Sequence, residues 1–345
     1  MFRIVGTIWG AALVVMPPVG PKTKASAQPL TIFEIQSNTI DGDASRLDYQ
    51  LVDFTGGICV AKFAGSRPRL ILQDPAFPDG WGGIQVKDWA AFDPDPTKRL
   101  YEHVSIGDWV ALTNVLVEEF RGTTFLQWQK PNSPSFTIVS RNNSIPPPKR
   151  VSVDDIAAPV GRAGDDWYVE DHSAERYESM RLYVTDVTVT EWDLGKAVDN
   201  YNLRSADQAS CWAADYMNAD AGVLGYHPFV TVARHFCAVG GVLEQYAVPS
   251  DGWDYYQLIT LGTIDLAICG DGDSDGAADL LDLPRLHSCG TGPGCGGGPG
   301  VCDPPAWTRL GLDWPHQYCL MMDFDCDGDI DVKDYSGFQL TLSGG

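Results

Sequence analysis

Two stretches near the C-terminal end set acidic residues at alternating positions of a twelve-residue frame. The first is Asp271-Gly272-Asp273-Ser274-Asp275-Gly276-Ala277-Ala278-Asp279-Leu280-Leu281-Asp282, with carboxylates at positions 1, 3, 5, 9 and 12. The second is Asp323-Phe324-Asp325-Cys326-Asp327-Gly328-Asp329-Ile330-Asp331-Val332-Lys333-Asp334, which adds a carboxylate at position 7. Glycine at position 6 permits the sharp turn that aims alternate residues at one centre. Oxygen donors in that number suit Ca²⁺, which takes about 6–8 of them at roughly 2.3–2.6 Å. The expected ligands are Asp271, Asp273, Asp275, the carbonyl of Ala277, Asp279 and Asp282 for one ion. For a second they are Asp323, Asp325, Asp327, Asp329, Asp331 and Asp334. Two loops with one spacing argue against a merely solvated acidic turn. Leu280, Leu281, Leu283 and Leu286 after the first loop, and Val332, Tyr335 and Phe338 after the second, have the rhythm of short helices.

Little else in the chain has the spacing of a reactive site. His103, His172, His227, His235, His287 and His316 form no HExxH or HxH pair. There is no GxSxG elbow, no GxxxxGK[ST] and no GxGxxG. Asp165-Asp166 and Glu118-Glu119 are carboxylate neighbours, but adjacent residues on a strand point to opposite faces and make a poor acid–base dyad. No catalytic residue is expected. Trp81, Trp128, Trp167, Trp192 and Trp253 are candidate sugar platforms, although most are expected in cores.

The elements that must carry the two loops are mainly strands. Residues 28–143 read as one β domain: Tyr49–Phe54, Ile58–Phe63, Arg69–Asp74, Gly83–Val86, Gly107–Glu119 and Thr123–Trp128 are strand-like, with Gly and Pro between them. Short strands punctuated this way imply a small barrel or sandwich. Residues 144–149, with three consecutive prolines, make a stiff linker. Residues 150–268 are again β-rich. Met180–Val189 alternates, His235–Tyr246 repeats the rhythm of Val115–Phe120, and Tyr255–Thr260 echoes Phe125–Gln127. A second copy of the first domain and an unrelated sandwich both fit. From 269 to 345 the composition turns to Asp, Gly and Cys.

Arg3 followed by the apolar run Ile4–Met16, with Ala25-Ser26-Ala27 behind it, reads as a secretory signal over residues 1–27, cleaved after Ala27. The alternative is an uncleaved anchor with Lys22 and Lys24 as its stop. No other run is apolar enough to span a membrane, so the mature chain is expected to be secreted or held at the cell surface. Export permits disulfides. Six of the nine cysteines crowd into the tail, where spacing leaves the connectivity open. Cys211 and Cys237 are a candidate pair, and Cys59 is expected as a buried free thiol. The net charge of −22 speaks against nucleic acid or an anionic membrane as a partner. Lys62, Arg67, Arg69, Lys98, Arg99 and Arg121 make the first β domain less acidic, as a local patch or a solvated rim.

Two resemblances follow from these residues. Leu70-Ile71-Leu72-Gln73-Asp74-Pro75, Gly83-Ile84-Gln85-Val86, Ile106-Gly107-Asp108-Trp109-Val110 and Glu118–Thr124 resemble the OB-fold domains appended to secreted bacterial nucleases and other extracellular proteins. The tail, through Asp323–Asp331 with Phe338-Gln339 and Cys289–Gly294, resembles type I dockerins, and more closely the cysteine-containing variants of planctomycete secreted proteins. Position 12 is Asp, as in dockerins, whereas EF-hands usually use Glu. The insertion between the loops is longer than is typical, and Leu280-Leu281 and Val332-Lys333 replace the Ser/Thr usual at positions 10 and 11. The resemblances imply a mainly β chain of two OB-like small barrels followed by a small α-rich, dockerin-like calcium-binding module. Implied partners are a cohesin-like or other extracellular docking protein, with carbohydrate as a candidate ligand. The implied function is non-catalytic binding and assembly. The alternative is an extracellular hydrolase or accessory subunit acting on polysaccharide or nucleic acid.

Overall fold

The structure is a computed structural model. It describes residues 28–37, 44–64, 68–91, 93–128, 133–159, 167–169, 171–192, 200–218, 225–289, 321–324 and 330–343. The expected signal segment lies outside the described residues.

Six strands, β1 (Leu51–Phe63), β2 (Arg69–Gln73), β3 (Gly83–Asp88), β4 (Trp109–Phe120), β5 (Thr123–Trp128) and β6 (Ser135–Ser140), form the first sheet. Its order is β1-β2-β3-β5-β4, closed into a ring by β1–β4 pairing, with β6 added on β4. The β3–β5 pairing is parallel and the other ring pairings are antiparallel. This is the five-stranded Greek-key barrel of an OB-like fold. Strand β1 replaces two expected strands. Gly56 at φ +112° and two register shifts against β4 let one long strand bend where the two segments join. Inward residues such as Val52, Leu70, Leu72, Val86, Val110 and Leu126 fill the core. The helix Ile32–Gln36, held by a Thr31/Glu34 capping box, adds Ile32 and Ile35 to it.

The second half repeats the path. After β7 (Lys149–Arg150) and β8 (Trp167–Tyr168) come β9 (Arg181–Trp192), β10 (Asn200–Ser205), β11 (Ser210–Ala214), β12 (His235–Val248) and β13 (Trp253–Ile259), with β14 (Leu266–Ala267) last. The ring runs β9-β10-β11-β13-β12 and closes by β12–β9, with β11–β13 again parallel. Both halves of the body are therefore OB-like barrels of one topology.

The barrels meet across a dry patch and a polar one. Ile58, Val60, Phe63 and Ile71 of the first pack on Ala214, Val242 and Ile259 of the second. Beside them Arg69 pairs with Glu244 at 2.9 Å, and the Arg181 amide donates to Gln73 Oε1 at 3.0 Å. Backbone also crosses the seam, with Ala247 N–H donating to the Arg121 carbonyl at 2.7 Å. Gly83 approaches so closely that a Cβ there would lie 2.4 Å from the Ser179 carbonyl.

Of the small α-rich, dockerin-like module expected in the tail, the described residues cover only part. Among the described residues the tail has two helices, Leu283–Cys289 and Val332–Ser343. Leu286, Met322, Ile330 and Phe338 bury against Ala238 and Ala267 of the second barrel, with Tyr183 beside them.

Candidate metal centre

The first acidic loop leaves β14 and is held open by its own backbone. Asp271 accepts from the Asp275 amide through Oδ1 at 3.0 Å and from the Gly276 amide through Oδ2 at 2.8 Å. Asp273 and Asp275 accept from the amides two residues on, at 3.2 and 2.9 Å. Each of Asp271, Asp273 and Asp275 brings one carboxylate oxygen to within 4.8 Å of the other two. Asp282 closes the loop, accepting from the Gly272 and Asp273 amides at 2.6 and 3.0 Å and from the Asp279 amide at 2.7 Å. Asp271 and Asp282 are buried, while Asp273 and Asp275 are exposed. Burial, with Asp282 and Asp275 adding to it, pushes the Asp271 carboxyl up to about 6. Concentrated negative charge with oxygen donors could hold a hard divalent cation.

At its described positions the second loop repeats hydrogen bonds of the first. Asp334, at position 12, accepts from the amide at position 2 (Phe324, 2.7 Å) and from that at position 9 (Asp331, 2.8 Å). Asp282 does the same with Gly272 and Asp279. In both loops the position-9 carboxylate accepts from the amide at position 11, Leu281 or Lys333, at 2.7 Å. Asp323 and Asp334 are buried like Asp271 and Asp282. The expected ligands Asp325, Asp327 and Asp329 lie outside the described residues.

Sequence reasoning missed the second barrel's part in the first loop. Gly276, at φ +98°, lies against Phe229 of the β11–β12 connection, and a Cβ there would sit 2.6 Å from the ring. At the loop's entrance Cys269 is bonded to Cys237 of β12. This corrects the expected Cys211–Cys237 pair. Strand β13 lies between β11 and β12. Two strand spacings put Cα atoms about 9–10 Å apart, beyond disulfide reach. Cys211 instead lies free in the second barrel's core, and Cys59 is buried and free as expected.

Around the loops the tail shows an apolar rim. Leu280 and Val332, both at position 10, are 69 % and 77 % exposed. Leu281, Leu283, Tyr335 and Leu340 are exposed beside them in sequence.

The remaining candidates are spread through the fold. The basic residues of the first barrel are engaged locally: Lys62 donates to the Tyr101 and Val104 carbonyls, Arg69 meets Glu244, Lys98 meets Asp95 and Arg99 meets Glu102. Arg121 lies over the Tyr246 ring at 5.0 Å, and Arg67 is outside the described residues. Trp128 and Trp253 are core residues, whereas Trp192 is 39 % exposed and stacks on Tyr226 at 5.5 Å. Asp165 and Asp166 are outside the described residues. Glu119 accepts from Thr124 Oγ1 at 2.8 Å in the seam. Close by is Glu178, which accepts from Gln36 Nε2 and the Thr124 amide. Burial, with Glu175 and Glu119 nearby, holds Glu178 well above the usual carboxylate range, and burial pushes Glu119 up to about 7.

No protein-family profile and no curated protein matches this chain. Among solved structures, the tetrameric p202 HIN2 domain is matched over 33 % of this chain and 50 % of that one, at 15 % identity and a TM-score of 0.23. A replication protein A heterotrimer bound to ssDNA is matched over 68 % of this chain and 69 % of that one, at 11 % identity and a TM-score of 0.21. Overlaps this loose say nothing about ligands.

Proposed function

We propose that this chain is an exported, non-catalytic binding and assembly protein whose tail is a calcium-stabilised, dockerin-like docking module. One observation carries the reading: both loops use the position-12 aspartate in one way, tying positions 2 and 9 together. A solvated acidic turn has no reason to repeat that scaffold. Ca²⁺ would be held by the aspartates of each loop and would neutralise their mutual repulsion.

The docking surface is the apolar rim at positions 10 and 13 of the loops, with Leu280, Leu283, Val332 and Tyr335 exposed. Its surroundings are acidic, so the partner is a protein with an apolar patch bordered by Lys and Arg, which suits a cohesin-like receptor. Carbohydrate remains the ligand proposed for the barrels, with Trp192 as the ring that offers a face. A hydrolase needs carboxylates converging on a cleft, and Glu119 and Glu178 are instead taken up by seam contacts.

Calorimetric titration of the signal-free protein with Ca²⁺ tests the reading. Two sites are expected, one lost in Asp271→Ala and the other in Asp323→Ala. A folded protein that gives no calcium heat overturns it.

A further inference from the structure

At its entrance the first loop is joined to the second barrel by one covalent bond, set beside a short ladder and the apolar packing of Ala267. Strand β14 pairs with β12 through only Ala238↔Ala267 and Val239↔Leu266. Two residues later Cys269 is bonded to Cys237, and two residues after that comes Asp271, whose carboxylate organises positions 5 and 6. Cys269 also lines an open groove with Thr231–His235 and Thr341, so a small thiol can approach it.

We propose that the Cys237–Cys269 bridge controls the first calcium loop: closed, it makes the loop hold Ca²⁺ more tightly, and Ca²⁺ in turn guards the bridge against reduction by a dithiol. The proposal rests on the calcium reading above. With the bridge open, the entrance keeps the two-pair ladder, the Gly270–Met321 backbone hydrogen bond and the packing of Ala267, and the ion must restore the order that the bridge supplied. With it closed that ordering is done beforehand. Linkage makes the effect reciprocal, so whatever factor the bridge adds to calcium affinity, calcium adds to the bridge's resistance. The redox step is ordinary thiol–disulfide exchange. A thiolate of the dithiol attacks one bridge sulfur, the S–S bond breaks and the released cysteine takes a proton. The reagent's second thiol then displaces the mixed disulfide as the reagent closes to its own disulfide. Two electrons pass from reagent to bridge. An exported chain would thus load this loop fully only after leaving a reducing compartment.

The test uses the full signal-free chain carrying Asp323→Ala, so that only the first loop titrates. Calcium affinity is measured with the bridge intact and with Cys237→Ser/Cys269→Ser. In parallel, the chain with native cysteines is equilibrated with dithiothreitol at graded ratios, with and without saturating Ca²⁺, and the Cys237–Cys269 peptide pair is quantified after alkylation. The expected result is an affinity loss on the order of tenfold without the bridge, and a matching rise in the dithiol needed to open it when Ca²⁺ is present. Equal affinities in a folded double variant, or bridge reduction indifferent to Ca²⁺, overturns the coupling and leaves the calcium reading standing. Absence of calcium heat from the bridged protein overturns the calcium reading itself. If the serine variant does not fold, the dithiol arm decides alone.

Discussion

Arg69 on β2 and Glu244 on β12 form an ion pair of 2.9 Å across the seam between the barrels, with little of either side chain exposed. The Tyr216 hydroxyl donates to the same carboxylate, and Gln85 Oε1 accepts from the guanidinium at 3.1 Å. A pair taken out of water this way is costly to break from one side, because the survivor stays buried and uncompensated. Arg69→Met is therefore expected to destabilise the body by about 3 kcal/mol, and Arg69→Met with Glu244→Leu to recover most of that loss. Urea unfolding of the single and double variants measures both.

Glu119 and Glu178 give the seam a pH dependence whose sign is fixed. Both carboxyls lie above their unfolded values, so the native state binds more protons than the unfolded chain. Their contribution is fully present below about pH 4.5 and is lost as pH rises through about 7. Melting in chelator is expected to show stability falling from pH 5 to pH 8 by roughly 2 kcal/mol. Glu178→Gln keeps an oxygen for the Thr124 amide and Gln36, and its slope is expected to be shallower. An equal slope in the variant would place the proton uptake elsewhere.

Gly83→Ala drives a methyl group into the Ser179 carbonyl, at a separation of 2.4 Å before relaxation. The obstruction is backbone, so the barrels themselves must part. The expected cost is about 2–3 kcal/mol, seen as a lower denaturation midpoint.

Cys59 and Cys211 are expected to resist alkylation by iodoacetamide at pH 8 while the protein is folded. Burial pushes each thiol up to about 12, so almost no thiolate is present. Rapid labelling of either in the native protein would contradict their burial.

The exposed rim of the tail should tolerate polar residues. Leu280→Ser with Val332→Ser is expected to leave the unfolding free energy within about 0.5 kcal/mol of the parent and the calcium affinity unchanged, because both side chains are exposed. A large fall in either quantity would mean that the rim is structural.

Much of the barrel path was legible because alternation survives wherever one face of a strand looks into a core. Met180–Val189 is such a strand and occurs as Arg181–Trp192, while Arg69–Asp74, read from its apolar run, occurs as Arg69–Gln73. Alternation does not say what the outward face meets. Gln73, Gln85 and Lys87 are polar strand residues, yet each is buried. Pairing order is a property of the closed ring rather than of any local segment, which is why Cys211 looked like a partner for Cys237 while Cys269, 32 residues away, was the actual one. The carboxylates of the first loop were readable from spacing alone, but Phe229 at its tip was not, since nothing near it in the chain marks the contact.

The shared wall formed by Ala238, Ala267, Leu286 and Phe338 also bears on how the protein can be divided. A cut after residue 268 would leave the second barrel with an uncovered greasy patch and half a disulfide, while the excised piece would lack the surface it folds on. Both pieces are therefore expected to be destabilised by division at this joint. A partner seated on the tail would hold the barrels at a set angle, as a bracket holds a shelf, rather than trailing them on a tether.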